Sequence, residues 1–314
     1  MIYLIHADGK FPNLALMRLS RWFKQQGEIT ELIRRRRMLW DGAGQCYGSS
    51  IFSFNEPARK ALERSWGPIL WGGTGVKVES NLREIADVDW ERLSPDYDLY
   101  PEYRYSLGFT QRGCRLSCPF CVVPRKEGKP RPVHTIGDIW RGEPHPRKII
   151  LLDNDFFGQP REHWQDRVRE LCAGNFKVSF SQGINIRQVD EESAQALASL
   201  EYRDNEFKER ILYTAWDNLG DERIFKRGVD ILRHAGVPPK HLRVYMLIGY
   251  AKGETWEQIH HRFNELVALG CEPYPMAYDS TRKDLKAFQR WAITGLYRAV
   301  PWNQYRDPRL DIRG

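Results

Sequence analysis

Hydrophobic and polar positions along this chain follow two periods in alternation. The opening apolar run over 1–6 predicts a strand. Leu14, Leu16, Met17, Leu19, Trp22 and Phe23 recur at helical spacing, and Gly27 stands where that helix would end. Further strands are predicted at 28–33, 50–54 and 69–71, with a short helix at 57–65. The last of these strands runs into Gly72, Gly73, Thr74 and Gly75. Strands and helices alternating at this length imply a parallel, doubly wound sheet, which predicts a small α/β domain over 1–80. The segment 81–101, rich in Asp, Glu, Tyr and Pro, reads as a linker.

Beyond it the pattern is more regular. Strands are predicted at 105–110, 148–152, 176–181, 211–215, 242–248 and 274–278, with helices near 134–141, 160–173, 190–200, 219–235, 254–269 and 282–298. In the segment 254–269, Trp256, Ile259, Phe263, Leu266 and Val267 fall three or four apart, leaving Glu257, His261 and Arg262 for the other face. Six β–α units joined by right-handed crossovers predict a partial (βα)6 TIM-type barrel over 102–281, followed by a C-terminal helix and tail over 282–314. In such a fold the chemistry sits at the carboxyl ends of the strands.

Composition narrows the class. Hydrophobic residues make up 41% of the 314, which supports an ordinary core. No apolar run approaches the roughly 18 residues of a membrane span, and the opening residues are read as a strand, not a signal peptide. A cytosolic protein without a membrane partner is expected, and there clustered cysteines point to a metal more than to disulfides. The formal charge of +7 is concentrated: residues 101–150 hold 10 Lys and Arg against 4 Asp and Glu, while the remainder is nearly balanced. That zone attracts phosphate or carboxylate groups, or it is a solvated loop.

The excess surrounds the sharpest motif, Gly113-Cys114-Arg115-Leu116-Ser117-Cys118-Pro119-Phe120-Cys121, directly after the first predicted barrel strand. Three thiols within eight residues can hold three corners of an iron–sulfur cubane from one loop, with the fourth iron open to a small molecule. Zinc would need a closed set of four ligands, and His134, the nearest histidine, stands well downstream.

The CxxxCxxC spacing resembles that of the radical S-adenosylmethionine (SAM) superfamily. The stretch TQRGCRLSCPFCVVPRKEGK is similar to methylthiotransferases and cobalamin-domain-containing radical SAM proteins. The resemblance, which covers about residues 101–280, implies a [4Fe–4S] cluster on Cys114, Cys118 and Cys121 and SAM chelated at the open iron. It further implies reductive cleavage of SAM to a 5′-deoxyadenosyl radical, and an electron donor such as flavodoxin or ferredoxin. Phe120 matches an aromatic that the family places against adenine. Where the family has a GGE-like turn for the SAM amino group, this chain has Asp153, Asn154 and Asp155, whose oxygens suit an ammonium group or cap the next helix. Gln182, Asn185 and Arg187 follow the third strand as candidates for the SAM ribose or carboxylate, with Asp190 an alternative partner for Arg187. Thr214, Trp216 and Asp217 follow the fourth strand, Gly249 resembles the glycine of an adenine-backing strand, and Tyr278 and Asp279 end the sixth.

Cys172 and Cys271 read as core residues, and Cys46 has no partners in sequence, so no second cluster is expected. The N-terminal unit resembles the Rossmann-like domain of cobalamin-dependent relatives. It lacks their DxHxxG loop, His6 being the only histidine before residue 101, so bound cobalamin is not expected. Arg125, Lys126, Lys129 and Arg131 suggest an anionic or nucleotide-like substrate. A different class is a nucleic-acid-binding protein with a structural iron–sulfur cluster, suggested by the arginines at 34–37 and the aromatic and basic segment 302–313.

Overall fold

The computed structural model describes residues 1–34 and 44–308. The chain divides into two units, Met1–Arg104 with Cys121–Gly128, and Tyr105–Phe120 with Lys129–Gly314.

In the first unit, β1 (Ile2–His6), β2 (Thr30–Ile33), β3 (Gln45–Ser49) and β4 (Leu70–Gly72) form a parallel sheet in the order β2-β1-β3-β4. Helix α1 (Leu14–Gln25) starts where the Asn13 side chain accepts the Leu16 N–H, and α2 (Glu56–Trp66) joins β3 to β4. The short α3 (Val123–Glu127) also belongs to this unit. Leu16, Met17, Leu19 and Phe23 bury one face of α1 against Ile2 and Leu4, each such side chain contributing about 1.5–3 kcal/mol. Trp90, Leu99 and Tyr100 join the same core, so the segment read as a linker is packed into the first unit.

The strand expected at 50–54 is not formed. β3 ends at Ser49, and Ser53–Asn55 is a single 3-10 turn. The cause is Asp8, whose carboxylate accepts from Ser50 Oγ (2.7 Å), Ile51 N (2.7 Å), Phe52 N (3.2 Å) and Asn55 Nδ2 (2.8 Å), drawing those amides away from a sheet. The glycine turn packs onto this same loop: a Cβ at Gly73 would lie 2.4 Å from the Ser50 carbonyl oxygen, and one at Gly75 2.5 Å from the Phe52 carbonyl carbon. Backbone packing accounts for these glycines without a ligand. Arg34 ion-pairs with Glu102, and its three neighbours at 35–37 lie outside the described residues.

The second unit is α/β with parallel sheets. β5 (Ser106–Gly108), β8 (Lys148–Leu151), β9 (Lys177–Phe180) and β10 (Glu201–Tyr202) pair in the order β10-β9-β8-β5. β11 (Leu212–Ala215), β12 (Leu242–Ile248) and β13 (Glu272–Ala277) form a second parallel sheet. Past the end of β9, Ile184 N–H donates to the Tyr213 carbonyl of β11 at 2.8 Å. An antiparallel pair that alternation did not predict, β6 (Gln111–Arg112) with β7 (Arg131–Pro132), brackets the cysteine loop.

The connecting helices are α4 (Ile136–Ile139), α5 (Arg161–Ala173), α6 (Glu191–Ser199), α7 (Glu222–His234) and α8 (Trp256–Ala268). α9 (Lys283–Ile293) follows β13 and buries Leu285, Phe288 and Trp291, so the C-terminal helix is part of this core. Within β12, Leu242, Val244, Met246 and Ile248 are buried while the residues between them are half-buried, as alternation requires.

Two assignments on α8 are reversed: Val267, read onto the apolar face, is exposed, and Arg262 goes the other way. Glu257 and His261 are exposed, but Arg262 is wholly buried. Its guanidinium donates to the carbonyls of Trp216 (2.9 Å) and Leu247 (3.0 Å) and pairs with Glu254, joining the ends of β11 and β12. A buried guanidinium is tolerated when its donors are met in this way.

Candidate functional site

The cysteine loop leaves the sheet at the carboxyl end of β5 and is fastened by the turn after β8. Asp153, 3% exposed, accepts the backbone N–H of Thr110 (2.7 Å) and of Gln111 (3.2 Å) on one oxygen and the Thr110 hydroxyl on the other. Burial pushes its carboxyl up to about 7, only partly opposed by these donors. Asp155, 1% exposed, accepts from Arg115 N (3.1 Å) and forms a bidentate pair with the Arg115 guanidinium at 2.8 and 2.9 Å. Gln111 completes the frame, donating to the carbonyls of Arg112 (2.6 Å) and Gly113 (2.7 Å) while accepting from Asp155 N (3.2 Å).

These contacts correct the expectation for the turn. The carboxylates of Asp153 and Asp155 face donors of the cysteine loop, and neither caps α5, whose N-cap is Pro160. Asn154, between them, is half-buried.

All six cysteines are free thiols, and Cys114, Cys118 and Cys121 are half-buried. Cys114 Sγ accepts the Leu116 N–H at 3.4 Å. Cys118 Sγ accepts from Arg187 Nη2 at 3.4 Å, and Nη1 of the same guanidinium pairs with Asp221 at 3.0 Å. Arg187 therefore pairs with Asp221 and not with Asp190, which caps α6. Phe120 meets Tyr250 edge to face at 5.3 Å, and Tyr250 meets Tyr278 likewise at 4.8 Å. Cys121 begins the segment that belongs to the first unit.

The donor set suits an iron–sulfur cluster: three thiols from one loop, two of them receiving N–H groups at sulfur, the kind of contact that tunes such clusters. Among the described residues no three His, Cys, Asp or Glu side chains converge as the ligands of one metal ion would. Thiolates on separate corners of a cubane need no such convergence.

The remaining candidates are spread along the strand ends. Gln182 is exposed. Asn185 is half-buried, and its Nδ2 is a buried donor with no hydrogen-bond partner among the described residues. Gly249, at φ +76°, donates its N–H to Glu254 at 2.6 Å, and a Cβ there would lie 2.3 Å from Leu285 Cδ1, so the turn and α9 already demand a glycine. Thr214 and Trp216 are buried, and Asp217 accepts the Leu247 N–H at 2.8 Å while burial raises its pKa. Asn218 caps the 3-10 turn that follows, its side chain accepting the Gly220 N–H.

Cys271 is buried as expected, Cys46 is buried too, and Cys172, expected in the core, is exposed. In the basic zone, Lys126 donates to the carbonyls of Val78 and Ser80, both at 3.0 Å, and Arg125 pairs with Glu79 at 3.6 Å. Lys129 and Arg131 are exposed. Trp302 lies among Phe288 (5.2 Å), Trp291 (5.6 Å) and Trp256 (5.8 Å), and the segment from 309 onward lies outside the described residues.

Thr110, Gln111, Arg115, Asp221 and Tyr250 are the site residues that sequence reasoning passed over. Arg115 carried a signal: an arginine inside the cysteine spacing, facing two aspartates one strand on. No family model and no curated protein sequence matches this chain. Among the described residues no helix is long and apolar enough to cross a membrane.

Proposed function

We propose that this chain is a radical SAM enzyme in which Cys114, Cys118 and Cys121 hold a [4Fe–4S] cluster. The observation that carries the reading is the loop itself. Half-buried thiols follow a parallel strand at its carboxyl end, on a loop anchored by Asp153 and Asp155 and supplied with N–H donors at two sulfurs. When bound, the cluster with SAM supplies one-electron cleavage of the sulfonium and a carbon radical that abstracts hydrogen.

The chain's own residues bind and orient. The unpartnered Asn185 Nδ2 offers a donor to an acceptor on SAM, and exposed Gln182 stands in the same segment. The Phe120 and Tyr250 rings, set edge to face, offer an aromatic corner against which adenine can pack. Asp153 and Asp155 act on the loop and not on SAM.

The contact from Ile184 to Tyr213 supports a single curved run of parallel strands from β5 to β13, the partial (βα)6 barrel of this reading. A flavodoxin- or ferredoxin-like donor provides the electron. The substrate is read as anionic or nucleotide-like on the exposed Lys129, a narrower basis than the whole basic zone. A nucleic-acid-binding role with a structural cluster loses its aromatic platform, because Trp302 is packed against Trp256, Phe288 and Trp291.

The test is anaerobic reconstitution with iron and sulfide, followed by SAM and dithionite. Wild type should produce 5′-deoxyadenosine, and replacing all three cysteines by Ala should remove bound iron, visible absorbance and product together. An intact cluster that yields no 5′-deoxyadenosine would sink the proposal.

A further inference from the structure

Two sulfurs of the loop differ in what is given to them. Cys114 Sγ accepts a backbone N–H, that of Leu116 at 3.4 Å. Cys118 Sγ accepts from a cation, Nη2 of Arg187 at 3.4 Å. Arg187 comes from the 3-10 turn Ile186–Gln188 after β9, and its other nitrogen is held by Asp221 at 3.0 Å. The Asp221 carboxylate and the Arg187 guanidinium have side-chain exposures of 29% and 28%, so the pair is anchored yet not sealed from water. Asp221 lies in the turn Leu219–Asp221 that precedes α7, so two separate strand-end turns cooperate to direct one guanidinium at one sulfur.

We propose that Arg187 is a positioning residue that sets the reduction potential of the cluster through an N–H···S hydrogen bond to the Cys118 thiolate. The inference rests on the radical SAM reading above and adds to it a control on how readily the cluster accepts its electron. The thiol sulfur of the structure stands in for the thiolate that would bind iron. Hydrogen bonds to cluster sulfurs and nearby positive charge both stabilise the reduced, more negative state, so together they raise the potential. Arg187 supplies both, and Asp221 holds its planar fork in register while offsetting part of its charge. Cys114 takes a hydrogen bond from the Leu116 amide and has the Arg115 charge nearby, whereas Arg187 donates directly to the Cys118 sulfur.

The experiment is an EPR-monitored redox titration of reconstituted wild type, Arg187→Gln and Arg187→Lys, without SAM, with iron and sulfide measured on each sample. Arg187→Gln should move the midpoint potential negative at unchanged iron content. Arg187→Lys, which keeps the charge on a different stem, should fall between the two. SAM affinity, measured separately by equilibrium binding, distinguishes a contact with the SAM carboxylate from one with sulfur. A potential equal to wild type in both variants, with full cluster, overturns the inference even if SAM binding is weakened. If Arg187→Gln fails to hold a cluster, Arg187→Lys decides alone: a negative shift supports the proposal and an unchanged potential refutes it. Failure of wild type to assemble any [4Fe–4S] cluster would instead strike the radical SAM reading, a separate and recognisable outcome.

Discussion

Replacing Asp153 by Asn isolates the charge of the carboxyl that fastens the cysteine loop. The amide fits the site: its oxygen accepts the N–H groups of Thr110 and Gln111, and its NH2 donates to the Thr110 hydroxyl. In the folded protein burial raises the Asp153 pKa from 3.8 to about 7. The folded state therefore keeps a proton that the unfolded chain has already released, and stability falls as pH rises. The contribution is complete below about pH 4 and lost as pH passes through about 7, with a slope of about 1.4 kcal/mol per pH unit. Urea unfolding of both proteins at pH 5, 6, 7 and 8 reads this directly. The stability of wild type relative to Asp153→Asn should fall by about 2–3 kcal/mol from pH 5 to 7 and then level off. Taking the difference cancels groups that titrate alike in both chains. A flat difference, or one rising with pH, would show that the three donors hold Asp153 ionised, and the protonated clamp would be refuted.

Asp155→Ala should cost about 1.5–3 kcal/mol in urea unfolding, less than a fully buried pair because Arg115 is 32% exposed and can be rehydrated. It should also lower iron bound per chain on reconstitution; full iron at wild-type stability would deny Asp155 its anchoring role. Glu254→Gln leaves the buried Arg262 charge without its carboxylate and should lower stability by about 3 kcal/mol, toward the low end for a broken buried pair because two carbonyls still accept from it. An unchanged melting temperature would contradict that. Lys126→Glu should destabilise the chain through its lost contacts to Val78 and Ser80, whereas Lys129→Glu should stay within about 0.5 kcal/mol of wild type. Equal effects of the two would remove the distinction drawn between them.

The strands and helices of the second unit were legible because one physical demand, burial of a single face, wrote their period into the sequence. β12 alternates strictly, and α9 repeats Leu285, Phe288, Trp291 and Ala292 at helical spacing. The sequence pattern failed where polar side chains overrode it. At 50–54 the apolar residues look like a strand, yet Asp8, more than forty positions earlier, collects the amides of Ile51 and Phe52. Arg262 sat on the polar face by residue type, and no local pattern signals the two carbonyls and the carboxylate that meet it in the core. The short β6 and β7 ladder was likewise invisible, since two residues per strand carry no period.

The loop that carries the three cysteines was legible for a different reason: the spacing of residues on one loop is a local property, and local properties survive in sequence. Which way Asp153 and Asp155 turn is not local. A carboxylate at the end of a parallel strand can face a ligand or the neighbouring loop, and its residue type is the same in both cases. Burial decides between them, because a carboxylate removed from water needs donors at once and cannot wait for a ligand. Here the facing loop provides them: Thr110 and Gln111 just past β5, and Arg115 within the cysteine spacing itself. The same criterion sets Asn185 apart. Among the described residues its buried Nδ2 has no hydrogen-bond partner, whereas both aspartates have theirs, and in the function proposed above that donor is the one offered to SAM.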